Sequence, residues 1–220
     1  LAAGKGTRMK SELPKALAPL QGKPLLAHLL ESVAQAGIDK KPIVVVGYGR
    51  DLVMKELGNK YEYAVQEKQL GTGHAVLSAR KKANETPHDI VLVLSTDQPL
   101  VSKETLENII ATHTEKRPAI TLGTAVVPDY EDWRIGLYSN FGRVVRDSKG
   151  KVEKLVEFKN TTEEEKKIKE VNPAIYAFDA EWLWSNINKL KNLNTQGEYY
   201  LTDLIKMAQE EGKKIKAIPV

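Results

Sequence analysis

Apolar positions along the chain follow two kinds of pattern. Residues 24–33 (Pro-Leu-Leu-Ala-His-Leu-Leu-Glu-Ser-Val) place theirs at helical spacing, with Pro at the first helical position and Gly37 just past the end, which predicts an amphipathic helix. Ile43-Val44-Val45-Val46-Gly47 and Ile90-Val91-Leu92-Val93-Leu94 are instead continuous runs rich in β-branched residues, as strands of a parallel sheet buried on both faces require. Around them the pattern predicts helices over 51–57 and 71–83, a helix from a Ser102 cap to about His113, and strands over 61–65 and 119–127. Strands alternating with helices point to βαβ units. The expected fold class is therefore α/β, with a Rossmann-like, mostly parallel sheet flanked by helices.

Past Pro128 the segments shorten. Residues 134–138, 143–147 and 152–158 read as antiparallel strands added to the main sheet, with Asp147-Ser148-Lys149-Gly150 as a hairpin turn. Thr162-Glu163-Glu164-Glu165 has capping-box spacing and opens a helix to about Glu170; a strand over 174–178, helices over 180–190 and 198–211, and a strand over 215–218 follow. No repeat, low-complexity stretch or linker interrupts the chain, so residues 1–220 read as one domain with an antiparallel lobe. Leu1-Ala2-Ala3-Gly4 resembles a strand entered near its end, and Ile218-Pro219-Val220 follows another strand, so both ends are expected to be cuts.

Composition narrows the chemistry. An apolar content of 41% over 220 residues supports a real core and excludes collagen-like or disordered chains. No apolar run approaches the roughly 18 residues of a membrane span, and no secretory signal opens the chain, which predicts a soluble cytoplasmic protein without a membrane partner. Cysteine is absent, which removes thiol nucleophiles, disulfides and cysteine metal sites. The 33 basic and 29 acidic residues leave a net charge of +4, interleaved along the chain. That balance suits a small anionic substrate and does not call for nucleic acid.

The opening Leu1-Ala2-Ala3-Gly4-Lys5-Gly6-Thr7-Arg8-Met9 sets two glycines, a hydroxyl and two cations directly after a strand. Glycines let backbone N–H groups approach a polyphosphate closely. The Walker ending is missing, and Met9 stands where a dinucleotide fingerprint has its third glycine. Pro14-Lys15 adds a rigid step that can hold a further cation over the same place. Asp97 follows the strand at 90–94, at the end of the sheet where open α/β folds bind ligands, and one carboxylate plus substrate phosphates suffices for Mg²⁺. Gln66 ends a strand and carries both a donor and an acceptor on one amide. The histidines lack metal-ligand spacing, and Trp182 and Trp184 are expected to line a core edge.

These residues also carry a resemblance. Gly-x-Gly-Thr-Arg-Met followed by Pro14-Lys15 is similar to the signature of the sugar nucleotidyltransferases, and Leu-Ala-Ala-Gly-Lys-Gly-Thr-Arg-Met with Leu13-Pro14-Lys15 resembles the uridylyltransferase domain of the bifunctional N-acetylglucosamine-1-phosphate uridylyltransferase/glucosamine-1-phosphate acetyltransferases. Gln66-Glu67-Lys68-Gln69-Leu70-Gly71-Thr72-Gly73-His74-Ala75 is similar to that family's uracil-reading segment, and Gln196-Gly197-Glu198-Tyr199-Tyr200 to its late motif.

The resemblance implies a nucleotide-diphospho-sugar transferase fold with a sugar-binding lobe. It further implies Mg²⁺-dependent formation of UDP-N-acetylglucosamine and pyrophosphate from UTP and N-acetylglucosamine-1-phosphate, and it leaves room for a homo-oligomer in the full-length protein. Arg8 and Lys15 would then be catalytic, with Lys5 a weaker third cation, and Asp97 the metal ligand. Leu1, Ala2, Ala3, Gly4, Gly6, Gln66, Gly71, Thr72, Ser95, Thr96, Gly142, Glu157 and Asn172 would bind substrates. The chain departs from the family at Ser95-Thr96, where Tyr-Gly is usual before the Asp, and at Pro173-Ala174, where Thr-Gly follows the Asn. Arg134-Ile135-Gly136 competes with Phe141-Gly142-Arg143 for the sugar-side motif. No hexapeptide repeat supports an acetyltransferase. A second metal ligand is expected beyond Val220, so this length of chain should bind nucleotide but handle Mg²⁺ and turnover less well than an extended one.

Overall fold

The structure is a computed structural model that describes residues 1–6, 9, 12–131 and 137–220. Arg8, Arg134, Ile135 and Gly136, and with them the start of the strand expected over 134–138, lie outside the described residues.

A small hairpin comes first, β1 (Pro19–Leu20) paired with β2 (Lys23–Pro24). Pro24 thus ends a strand and stands at the cap of α1 (Leu25–Gln35), one position earlier than the expected first helical residue. α1 buries Leu26, Leu29, Leu30 and Val33, the stripe its spacing predicts, at roughly 1.5–3 kcal/mol for each fully buried side chain. Then follow β3 (Ile43–Val46), α2 (Arg50–Leu57), β4 (Glu62–Val65), α3 (Thr72–Ala83), β5 (Ile90–Val93), α4 (Lys103–Lys116) and β6 (Ile120–Val126). The Ser102 side chain accepts the Thr105 N–H and caps α4 as expected.

β3 and β4 pair in parallel. The opening residues tie this pair to the rest: Ala2 bridges Val46 in parallel, and the Leu1 carbonyl accepts the Thr96 N–H just past β5. Beyond Pro128 come β7 (Gly142–Arg146) and β8 (Val152–Val156), joined antiparallel by the turn that includes Asp147 and Gly150. α5 (Glu163–Lys166) opens on the predicted capping box, Thr162 with Glu165, but stops short of Glu170 because the chain is taken into β9 (Glu170–Asn172). β10 (Tyr176–Asp179), α6 (Ala180–Asn186), α7 (Asp203–Glu210) and β11 (Ile215–Pro219) complete the order.

The sheet is mixed. β10 lies antiparallel between β5 and β6, so those two strands share a direction without touching, and β11 adds in parallel to β6. β9 and β10 together form one antiparallel neighbour of β6, broken by a bend at residues 173–175 where the Gly123 N–H reaches the Ile175 carbonyl. Beyond the bend, β9 leaves for β7, which opens the lobe. Ala174 takes a left-handed φ of 59° to make that turn.

α7 begins only at Asp203, five residues later than the helix expected from 198. Residues 199–201 are held instead by bonds to the start of α3: Tyr199 N–H to Leu70 O, Gly73 N–H to Tyr199 O and Leu201 N–H to Thr72 Oγ1. Trp182 and Trp184 are buried in the main core with Ile120, Leu122, Phe178 and Leu204. Among the described residues, no helix is long and apolar enough to cross a membrane. An apolar cleft of about 750 Å³ lies between β3 and β5 beneath α1; of the described candidate residues it reaches only Leu1.

Candidate functional site

The opening glycine turn is placed by close packing. Gly6 has φ 66°, and a Cβ there would lie 2.7 Å from that of Lys15, so loop and lysine stem share one space. Lys15 is placed in turn by Pro14, whose ring occupies the position a Cβ on Gly49 would need, at 2.2 Å. The Lys15 ammonium rests on the Asp97 carboxylate. Lys5 turns elsewhere and lies over the Tyr48 ring, 5.3 Å from its centre. Gly4 faces open space, whereas Ala2 and Ala3 are buried, with the Ala2 N–H on Val45 O and the Ala3 carbonyl accepting from Tyr48. The first three residues therefore extend the sheet beneath the loop.

Asp97 is half exposed at the end of β5. Among the described residues, no group of three or more His, Cys, Asp or Glu could hold a metal ion. A carboxylate whose neighbour is already a cation nevertheless fits a divalent ion that takes most of its ligands from phosphates and water. Thr96 is buried, and both its hydroxyl and its N–H bond to the Leu1 carbonyl, at 2.9 and 3.2 Å. It ties the loop's strand to β5. Ser95 bonds within the same turn, where its hydroxyl accepts the Asp97 N–H at 3.4 Å.

Gln66 follows β4 and is buried. Its side-chain nitrogen donates to the Gly71 carbonyl at 3.0 Å and lies 3.1 Å from His74 Nδ1. The donor half expected to read a base is thus engaged inside the protein. Gly71 takes φ 104° at the start of α3, and a Cβ there would meet Tyr199 O at 2.6 Å and Tyr199 N at 2.9 Å. Thr72 accepts the Leu201 N–H, so its hydroxyl also braces the late motif.

Three lobe candidates lie on or beside neighbouring strands. Gly142 on β7 stands opposite Asn172 on β9, and Glu157 follows β8, which pairs with the other edge of β7. The Asn172 amide donates to the Tyr176 hydroxyl at 2.5 Å, and its oxygen accepts the Ala174 N–H at 3.0 Å. Glu157 accepts from the Thr202 hydroxyl at 3.1 Å. Burial pushes its carboxyl above the usual range, and the Asp203 and Glu198 charges add to this against the opposing Thr202 bond. Burial likewise raises the Tyr176 hydroxyl well above an ordinary tyrosine, helped by Glu157.

Other side chains at the site were given no role of their own in the sequence reading. Arg143 is buried over the Tyr130 ring, 4.7 Å from its centre, and near Phe158, and it donates to the Ser139, Phe141 and Lys166 carbonyls. Its bonds to Ser139 and Phe141 hold the backbone just before Gly142. Desolvation lowers its guanidinium from the usual value. His74, Tyr176 and Thr202 also carry no local signal of their roles; only the Gly-Thr-Gly-His and Glu-Tyr-Tyr-Leu-Thr strings around two of them marked the places.

Residues 1–203 match the family model described as "MobA-like NTP transferase domain". The chain belongs to that family. Within it, the chain is 42% identical over 217 residues to the "Bifunctional protein GlmU" of Halalkalibacterium halodurans and 43% identical over 217 residues to that of an Exiguobacterium species. Each alignment covers 99% of this chain and 46% of the relative, so the chain spans about half the length of the curated relatives it matches. A crystal structure of UDP-glucose pyrophosphorylase complexed with UDP-glucose superposes with a TM-score of 0.70 over 98% of this chain and 88% of that one. At 16% identity that likeness shows the fold: a mixed α/β sheet flanked by helices.

Proposed function

We propose that the domain transfers a uridylyl group from UTP to N-acetylglucosamine-1-phosphate, releasing pyrophosphate and forming UDP-N-acetylglucosamine. The observation that carries this reading is the Lys15–Asp97 pair packed against Gly6: a cation and a carboxylate beside a glycine loop at the end of the sheet. The similarity to GlmU proteins supports the choice of substrates.

On this reading an oxygen of the sugar phosphate attacks the α-phosphorus, a new P–O bond forms and the bond to the β-phosphate bridge breaks. The attacking phosphate is already largely ionised near neutral pH, since its second pKa is about 6, so no general base is required. The protein contributes position and charge. Lys15 and Arg8 would neutralise the triphosphate, while Gly4 and Gly6 let the backbone approach it. Asp97 would hold Mg²⁺, which supplies charge neutralisation at the phosphates when bound. Gln66 and Gly71 would face the base, and Gly142, Glu157 and Asn172 the sugar. The working compartment on this reading is the cytoplasm.

A second reading keeps the chemistry and changes the sugar phosphate or pairs it with dTTP. It is favoured by Asn172, whose amide is engaged by Tyr176 and Ala174 at the positions where the chain departs from the family. Pyrophosphate release measured for four nucleoside triphosphates against several sugar-1-phosphates, with and without Mg²⁺, decides between them. Turnover confined to UTP with N-acetylglucosamine-1-phosphate supports the first reading. Preference for another pair supports the second, and a chain that binds nucleotide sugars without turnover under any pairing overturns both.

A further inference from the structure

We propose that His74 is a positioning residue that sharpens which pyrimidine the site accepts, by helping the Gly71 carbonyl hold the Gln66 amide with its oxygen outward. The inference rests on the reading that Gln66 faces the base.

Gln66 is immobilised at every polar atom but one. Its N–H donates to Val46 O at 2.8 Å, and its carbonyl accepts from Gln69 Nε2 at 3.2 Å. The side-chain nitrogen has two hydrogens and two neighbours, Gly71 O at 3.0 Å and His74 Nδ1 at 3.1 Å. A carbonyl oxygen only accepts, so the amide must turn its NH₂ toward Gly71. The second hydrogen then points at His74 Nδ1, which accepts it when the ring proton sits on Nε2. With both hydrogens directed inward, Oε1 is what the side chain has left to offer a ligand.

An acceptor alone is selective. Uracil and thymine carry a hydrogen on N3 and match it, whereas cytosine presents a lone pair at N3 and would set acceptor against acceptor. A site that leaves a required hydrogen bond unmade discriminates far more strongly than one that only changes shape. Of the two groups that orient the amide, the Gly71 carbonyl belongs to the backbone and is held further by the Ala75 N–H at 3.1 Å. His74 is the side chain that can be exchanged.

Equilibrium titration of the protein with UTP and with CTP provides the test. His74→Phe removes the acceptor at similar size, and the UTP-to-CTP affinity ratio should fall about tenfold, the scale of one buried hydrogen bond. His74→Asn, whose side-chain oxygen can take the place of Nδ1, should restore most of the ratio. A purely structural role for His74 would move both affinities together and leave the ratio unchanged, which overturns the proposal. A wild-type protein that binds UTP and CTP equally overturns the base-reading role of Gln66 and this inference with it. Should His74→Phe fail to fold, the wild-type Gln66 side-chain NH₂ signals decide in ¹⁵N NMR: two inequivalent, slowly exchanging protons are expected, and rapid exchange of both refutes the arrangement.

Discussion

Lys15 and Asp97 neutralise one another beside the opening glycine turn, the ammonium of one on the carboxylate of the other. The cation assigned to the triphosphate thus occupies the carboxylate assigned to the metal. A divalent ion arriving before nucleotide has to displace the lysine, whereas a triphosphate drawing Lys15 away uncovers Asp97. Lys15→Met keeps the stem over Gly6 and removes the charge. Direct Mn²⁺ titration without nucleotide should show about two- to fivefold tighter binding, the scale of a partly exposed ion pair, while UTP binding weakens. Unchanged Mn²⁺ affinity would separate the two residues functionally.

Gly71 and Gly58 both have positive φ, yet their surroundings differ. A Cβ at Gly58 meets nothing within 4 Å, but one at Gly71 would strike the Tyr199 backbone at 2.6 Å. Gly58 has φ 69° and ψ −150°, a region almost reserved to glycine, so Gly58→Ala should cost about 1–3 kcal/mol of backbone strain. Gly71→Ala should cost that plus about 1–3 kcal/mol for overpacking, and should weaken UTP binding because the start of α3 shifts. Urea unfolding of both variants measures the difference, and equal losses would mean that Tyr199 yields without resistance.

How far the fold was legible depends on whether its cause is local. The apolar runs of β3 and β5 and the caps at Ser102 and Thr162 announce themselves, because periodicity and capping act over a few residues. β10 does not announce its place between β5 and β6, since a strand's partner is chosen by tertiary packing. The same limit applies to the site. Lys15 meets Asp97, and Gly142, Glu157 and Asn172 lie on or beside neighbouring strands, while Thr96 holds Leu1 and Gln66 commits its donor to Gly71 and His74. Whether a polar side chain faces a ligand or its own protein depends on neighbours distant in sequence. The late motif shows this most plainly: residues 199–201 read as the start of a helix, and their bonds to α3, some 130 positions earlier, override that tendency.

Ala174 carries strain that a single substitution can relieve. Its φ of 59° is the conformation glycine adopts at no steric cost, and it sits in the bend from which the lobe leaves the main sheet. Ala174→Gly should stabilise the protein by about 0.5–1 kcal/mol, the left-handed penalty less the extra freedom of glycine in the unfolded chain. The Asn172 oxygen keeps its bond to the residue 174 N–H, so substrate affinity should hold. A loss of stability on thermal unfolding would show that the Ala174 methyl group, which packs against the main core, outweighs the strain.

Glu157 makes stability depend on pH in a direction opposite to that of most carboxylates. Burial raises its folded-state pKa, so between the unfolded and folded values the native state holds more protons than the unfolded one. Stability linked to this group is present in full below the unfolded value, is lost as pH rises through the window between the two, and stays lost above it. Glu157→Gln removes the charge and leaves a side chain that can still bond Thr202. The variant should match the wild type near pH 4 and be the more stable at pH 7.5, while its affinity for the sugar phosphate falls. Thermal unfolding at the two pH values reads the first effect and titration with sugar-1-phosphate the second. A variant that is less stable at pH 7.5 would mean that the ionised carboxylate is held by contacts stronger than its burial penalty.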